Sequence, residues 1–180
     1  TYSPSGRQAT ARRALTVDGS GPQSPKRYYD VAEALAERAS ARHDDGNARR
    51  LLSYAVRDSV RHHLVADVPV AVFLSAGLDS GALLGTMAAL GAQSVSAVTL
   101  AFSDSKGLAV DEAPLAAEVA RRYGARHIVR TVDRAEFERD LPAILDAMDL
   151  PTIDGINTWF VAKGAQEAGI KVALSGLGAD

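Results

Sequence analysis

The residues best suited to chemistry fall in two short stretches, Ser75-Ala76-Gly77-Leu78-Asp79-Ser80-Gly81 and Ser175-Gly176-Leu177-Gly178-Ala179-Asp180. Each joins hydroxyls, glycine and a carboxylate. At a helix start, unpaired N–H groups and a partial positive charge suit an anion. Gly77 lets backbone come close, and Ser75 and Ser80 offer hydroxyl donors. Asp79 would repel a bare phosphate, but fits if a divalent cation lies between them. No Lys follows the glycines as in a Walker A loop, and there is no G-x-G-x-x-G. An ordinary strand-to-helix turn with Asp79 or Ser80 as helix cap is the plain alternative. Either stretch alone is a weak signal; two in one sheet are more specific.

The elements around them follow from periodicity. Residues 68–74 are an almost wholly apolar, β-branched run, which reads as a strand buried on both faces. Helix 79–90, strand 95–102, helix 112–123, strand 127–132, helix 134–148, helix 157–168 and strand 171–174 follow. Gly91, Gly124 and Gly169 stop three of the helices, and Asp111 caps one. Ahead of these, 47–63 is a helix with an apolar stripe of Leu51, Leu52, Ala55, Val56, Val60 and Leu64. A helix over 30–42 has Asp30 as its cap and Val31, Leu35 and Arg38 on one face. Alternating strands and helices predict an α/β fold with a doubly wound parallel sheet. Ligands then sit beyond the carboxyl ends of the strands, where both loops fall. If the first and last strands are neighbours, the loops face one crevice, and Asp79 and Asp180 can share a cation.

Ser75–Ser80 resembles the SGGxDS pyrophosphate loop of the N-type ATP pyrophosphatases. With Asp67–Leu74 ahead of it and Ser175–Asp180 at the end, the chain resembles the synthetase domain of glutamine-dependent asparagine synthetases. The resemblance covers residues 47–180; before that it rests on Tyr28-Tyr29. The first motif alone also suits GMP, NAD and argininosuccinate synthetases. The second narrows the set to asparagine and β-lactam synthetases. The resemblance implies a truncated PP-loop, adenine nucleotide alpha hydrolase-like fold. It implies ATP phosphates on Ser75, Gly77, Asp79 and Ser80, and adenosine near Leu74 and Leu100. Ser175 and Gly176 would touch the nucleotide from the other side, with Mg2+ at Asp79 and Asp180. The implied reaction is adenylation of a carboxylate, with aspartate the expected acceptor, then amidation by ammonia released from glutamine in a separate domain. A cytoplasmic enzyme follows, with a homodimer as a candidate assembly.

The sequence departs from the pattern at three places. Ala76 replaces a motif glycine, which the backbone tolerates only if φ there is negative. Leu177 stands where many relatives carry Glu, and Ile153 or Asp154 where the substrate-gripping Arg falls. These leave two alternatives open: a different carboxylate acceptor, or a nucleotide-binding module without catalysis. Elsewhere, Asp111-Glu112 reads as helix capping, His62-His63 as a helix-end dipole partner, His127 as packing and Trp159-Phe160 as core.

Residues 1–29 carry Ser, Thr, Gly, Pro and Arg with little apolar pattern, and are expected to be an extended or disordered interdomain arm before a domain over 30–180. Among 180 residues, Lys and Arg number 20 and Asp and Glu 22, so charge gives no reason to expect nucleic acid. No apolar run suggests a membrane span. With no Cys, the chain offers no disulfide, thiolate metal site or glutaminase-type nucleophile. Breaking off inside its second motif, it is expected to be a fragment.

Overall fold

In a computed structural model of the protein, residues 11–30, 32–33, 36–37, 45–92, 94–150 and 152–176 are described. Contacts divide the chain into two units, Thr1–Arg50 and Leu51–Asp180. The sequence reading put its boundary at 29/30.

In the first unit, strands β1 (Ala11–Ala14) and β4 (Lys26–Asp30) pair antiparallel, with an irregularity between Arg12 and Arg13. Between them, β2 (Val17–Asp18) and β3 (Gly21–Pro22) form a second short pair. Its turn is held by Asp18, whose carboxylate accepts from Ser20 N at 2.9 Å and Ser20 Oγ at 2.6 Å. The expected arm is therefore extended but paired over 11–30. Backbone ladders do not require the apolar alternation whose absence suggested disorder. Asp30 Oδ1 accepts from the N–H groups of Ala32 and Glu33, as the cap reading anticipated. Val31, Leu35 and Arg38, read as one helix face, lie outside the described residues, as do Leu177 and Asp180.

The second unit is built on four parallel strands: β5 (Val70–Phe73), β6 (Ser96–Phe102), β7 (Arg126–Val132) and β8 (Val172–Leu174). Their order is β7-β6-β5-β8. The chain winds outward from β5 to β7, then returns to place β8 against the free side of β5, with Val72 opposite Leu174. β5 is therefore central and buried on both faces, as its near-continuous apolar run predicts.

Five helices flank the strands: α1 (Asp45–His63), α2 (Leu78–Ala89), α3 (Ala113–Arg122), α4 (Arg134–Asp146) and α5 (Ile153–Glu167). Two cores form because successive strand residues point to opposite faces. Ala97 of β6 packs with Val72, Leu84, Met87, Ala116, Ala120 and Val60, joining α1, α2 and α3 to the sheet. Leu100 and Phe102 of β6 pack with Val132, Ile144 and Phe160, joining α4 and α5. Phe160 stacks on Phe137 at 6.0 Å and meets Phe102 edge-on at 6.4 Å, so it is core, as read. The doubly wound parallel sheet is present.

Two helices differ from expectation. Only the last turns of α1 reach the sheet: Val60 is buried, whereas Leu51 and Leu52 are 49% and 66% exposed. A periodic stripe names a face but not how far its cover extends. α5 starts at Ile153 rather than Asn157, because the Thr152 side chain accepts from Asp154 N at 3.3 Å and caps it. Gly91 and Gly124 stop helices as expected, at φ values of 78° and 66° that side chains rarely adopt. Among the described residues, no helix is long and apolar enough to cross a membrane.

Candidate functional site

The adjacency of β5 and β8 brings the two Ser-Gly loops together. Gly176 lies against the start of α2: a Cβ there would stand 3.2 Å from both Ser80 N and Asp79 Cβ. A side chain here would press on the α2 backbone, so glycine suits the close approach. Beside the contact opens a cavity of about 620 Å³ at the carboxyl ends of the strands. The eight described residues proposed for ATP from sequence, Leu74, Ser75, Gly77, Asp79, Ser80, Leu100, Ser175 and Gly176, all line it. This is the crevice position for an open α/β sheet whose strand order reverses.

The first loop is shaped by its own hydroxyls. Ser80 is buried at 6% exposure, and its Oγ accepts from Ser75 N at 3.1 Å. The Ser80 hydroxyl proton faces oxygens of the loop itself: Ser75 Oγ at 2.9 Å, Ser75 O at 3.2 Å and Gly77 O at 3.3 Å. Ser75 Oγ in turn accepts from Gly77 N at 3.1 Å. Ser80 thus fixes the loop's shape. Neither Asp79 nor Ser80 caps α2: the cap position is Gly77, which has no side chain to accept from the first N–H groups of the helix. The capping role read for Asp79 or Ser80 is therefore absent, and Asp79 stands exposed in the first turn, lining the cavity. Among the described non-glycine residues only Ser94 has positive φ, so the methyl of Ala76 is accommodated.

Further lining residues were only partly foreseen: Asp154 was marked at the place of the substrate-gripping Arg, and Asp111-Glu112 was read as helix capping. α5 supplies Asp154, Asn157 and Thr158, and the turn before α3 supplies Asp111 and Glu112. Starting the helix at 157 left Asp154 outside it; Thr152 as a cap was the signal for the earlier start. Asp111 does serve the helix start, accepting from Ala113 N at 3.1 Å and from Gly107 N at 3.0 Å. Among the described residues, the lining includes four carboxylates and no Lys, Arg or His.

Other singled-out residues lie apart from the cavity. His62 and His63 each place Nδ1 2.8 Å from a carbonyl one helical turn back, those of Asp58 and Ser59. No group of three or more metal-ligating side chains occurs among the described residues. Behind the site, Arg130 of β7 pairs bidentately with Glu136 of α4 at 2.6 Å and with Glu167 of α5 at 3.0 Å. Lys163 of α5 joins Glu136 and Asp140, each at 2.6 Å. The two cations beside Glu136 hold its carboxyl down at about 2.

A parallel α/β domain with paired Ser-Gly loops at its switch point defines the class. The Asparagine synthase family model matches residues 51–180, and the chain belongs to that family. A Mycobacterium bovis protein, provisionally named a glutamine-hydrolysing asparagine synthetase, is 37% identical over 131 residues, 72% of this chain and 19% of its own length. Asparagine synthetase [glutamine-hydrolyzing] 1 of Bacillus subtilis is 36% identical over 128 residues, 70% of this chain and 20% of its own. The chain thus spans about a fifth of the length of these relatives. A solved glutamine-dependent NAD+ synthetase from Acinetobacter baumannii, in complex with ADP, is 23% identical over 67% of this chain and 24% of that one, at a TM-score of 0.42.

Proposed function

We propose that the cavity binds ATP and that the protein activates a small carboxylate by adenylation for conversion to an amide. The observation that carries this reading is the contact of Gly176 with the start of α2, which sets both loops on one cavity. The phosphates would lie on Ser75–Ser80, where the α2 N–H groups have no side-chain cap. Leu74 and Leu100 would flank the adenosine, and Ser175 and Gly176 would close the second side.

In the proposed reaction, a carboxylate oxygen of the acceptor attacks the α-phosphorus of ATP and pyrophosphate leaves. Ammonia then attacks the carbonyl carbon and AMP leaves, giving the amide. This chain's part is to hold the reactants in line, which can supply several kcal/mol. Mg2+ is commonly held by one or two carboxylates together with substrate phosphates. Asp79 fits that role, with Asp180 as the proposed second ligand. When bound, Mg2+ neutralises charge on the departing pyrophosphate. The ammonia would come from glutamine hydrolysed in a separate domain, as the names of the relatives suggest.

One observation favours an acceptor other than aspartate. Asp111, Glu112 and Asp154 line the cavity with no cation among the described lining residues to take a second carboxylate. Measuring ATP binding with and without Mg2+ tests the site: Asp79→Asn and Asp180→Asn should each abolish the Mg2+-dependent component. Undiminished binding in both variants would overturn the assignment.

A further inference from the structure

We propose that Thr99, supported by His127, is a positioning residue for the phosphate loop. The inference rests on the nucleotide reading above for its functional consequence, but on geometry alone for its structural part. Strand β5 ends at Phe73, and the chain enters the loop through the peptide unit joining Leu74 to Ser75. Both polar atoms of that unit are held by side chains. Its carbonyl, Leu74 O, accepts from Thr99 Oγ1 at 2.7 Å. Its N–H, on Ser75, donates to Ser80 Oγ at 3.1 Å. One residue earlier, Leu74 N donates to Val98 O at 2.8 Å. Thr99 and Ser80, at 1% and 6% exposure, are the polar side chains of the buried set among the described residues. Burying a hydroxyl is unfavourable unless it is hydrogen-bonded. Here both buried hydroxyls hold the two ends of one peptide plane.

The hydrogen accounting extends to the next strand. Thr99 Oγ1 has one proton, and the bond to Leu74 O uses it. His127 Nε2 lies 2.7 Å from the same oxygen, so His127 is the donor and carries its proton on Nε2. Burial lowers the imidazole pKa, which favours the neutral ring, and the bond to Thr99 Oγ1 selects the Nε2–H tautomer. His127 therefore does more than pack: it locks the hydroxyl so that the proton points at Leu74 O. The chain His127–Thr99–Leu74 crosses three strands, β7, β6 and the end of β5, and terminates at the entry to the loop. A rotation of this one peptide would turn the N–H groups and hydroxyls of Ser75–Ser80 that the nucleotide reading aims at phosphate.

The test compares Thr99→Val, which keeps shape but removes the hydroxyl, with Thr99→Ser, which restores it, and His127→Phe, which leaves Thr99 in place. The readouts are KM for ATP in ATP–pyrophosphate exchange, the exchange rate of the Ser75 amide, and Tm. Thr99→Val is expected to raise KM roughly 10-fold, within the ~100-fold that a misplacement of about 1 Å can cause. It should also speed Ser75 amide exchange. Thr99→Ser should restore both, and His127→Phe should shift both part of the way. A purely structural role would lower Tm while leaving KM and Ser75 exchange at wild-type values, and that result would overturn the proposal. If wild type binds no ATP, the nucleotide reading fails separately. Ser75 exchange then still decides the clamp, and unchanged rates in Thr99→Val and His127→Phe would refute it.

Discussion

Glu136→Gln probes the ion network that ties β7 to α4 and α5. Glu136 and Arg130 have side chains only 13% and 14% exposed, so their pairing is shielded from solvent more than a surface bridge. The substitution removes the carboxylate that meets both Arg130 nitrogens and Lys163, all at 2.6 Å. Arg130 keeps two bonds to Glu167, and Lys163 keeps Asp140. The loss should therefore fall below the ~3–5 kcal/mol of a buried charge left alone, at about 2 kcal/mol. For a protein of this size that lowers Tm by roughly 4–8 °C. The pH dependence supplies a sharper check. The Glu136 pKa is lowered from 4.5 to about 2 on folding, so its stabilisation is fully present above 4.5 and lost as pH falls through 2. Urea unfolding of wild type and Glu136→Gln at a series of pH values should show a stability gap that is constant near neutrality and narrows below pH 4.5. A gap that stays constant down to acid, or no gap at neutral pH, would refute the reasoning.

Two glycines give further predictions. A Cβ at Gly164 would lie 2.5 Å from Arg130 Cγ and 2.8 Å from Arg130 Cβ, so Gly164→Ala should destabilise by ~1–3 kcal/mol through overpacking, read by urea unfolding. At Gly176 the contact is with backbone at 3.2 Å, which a shift of a few tenths of an ångström in the second loop would relieve, so Gly176→Ala should weaken ATP binding more than it lowers Tm, measured by calorimetry and thermal unfolding.

How much of this was legible in the sequence depended on the range of the interaction. The strand runs 68–74 and 95–102 declare themselves because burial on both faces demands apolar residues throughout. The helix stops at Gly91 and Gly124 are equally local. The two loops were visible as motifs, but their meeting depended on β8 returning beside β5, which periodicity alone does not dictate. The pairing of residues 11–30 was missed because short polar strands carry no apolar alternation. The Arg130 network and the Thr99–His127 bond were invisible for another reason. Their partners stand far apart in sequence, 37 residues for Arg130 and Glu167 and 28 for Thr99 and His127, and only the sheet register brings them together. Gly176 was read as a nucleotide contact; its packing on Ser80 N and Asp79 gives a second reason for a glycine there.

The central claim is that the two-loop cavity uses ATP to adenylate a carboxylate. Exchange of labelled pyrophosphate into ATP tests it directly, run with Mg2+ across a panel of carboxylic acids that includes aspartate. The expected exchange requires both Mg2+ and a carboxylate, is lost in Asp79→Asn, and is stronger with an acid other than aspartate. ATP binding with no exchange for any acid would contradict it and leave a nucleotide-binding module.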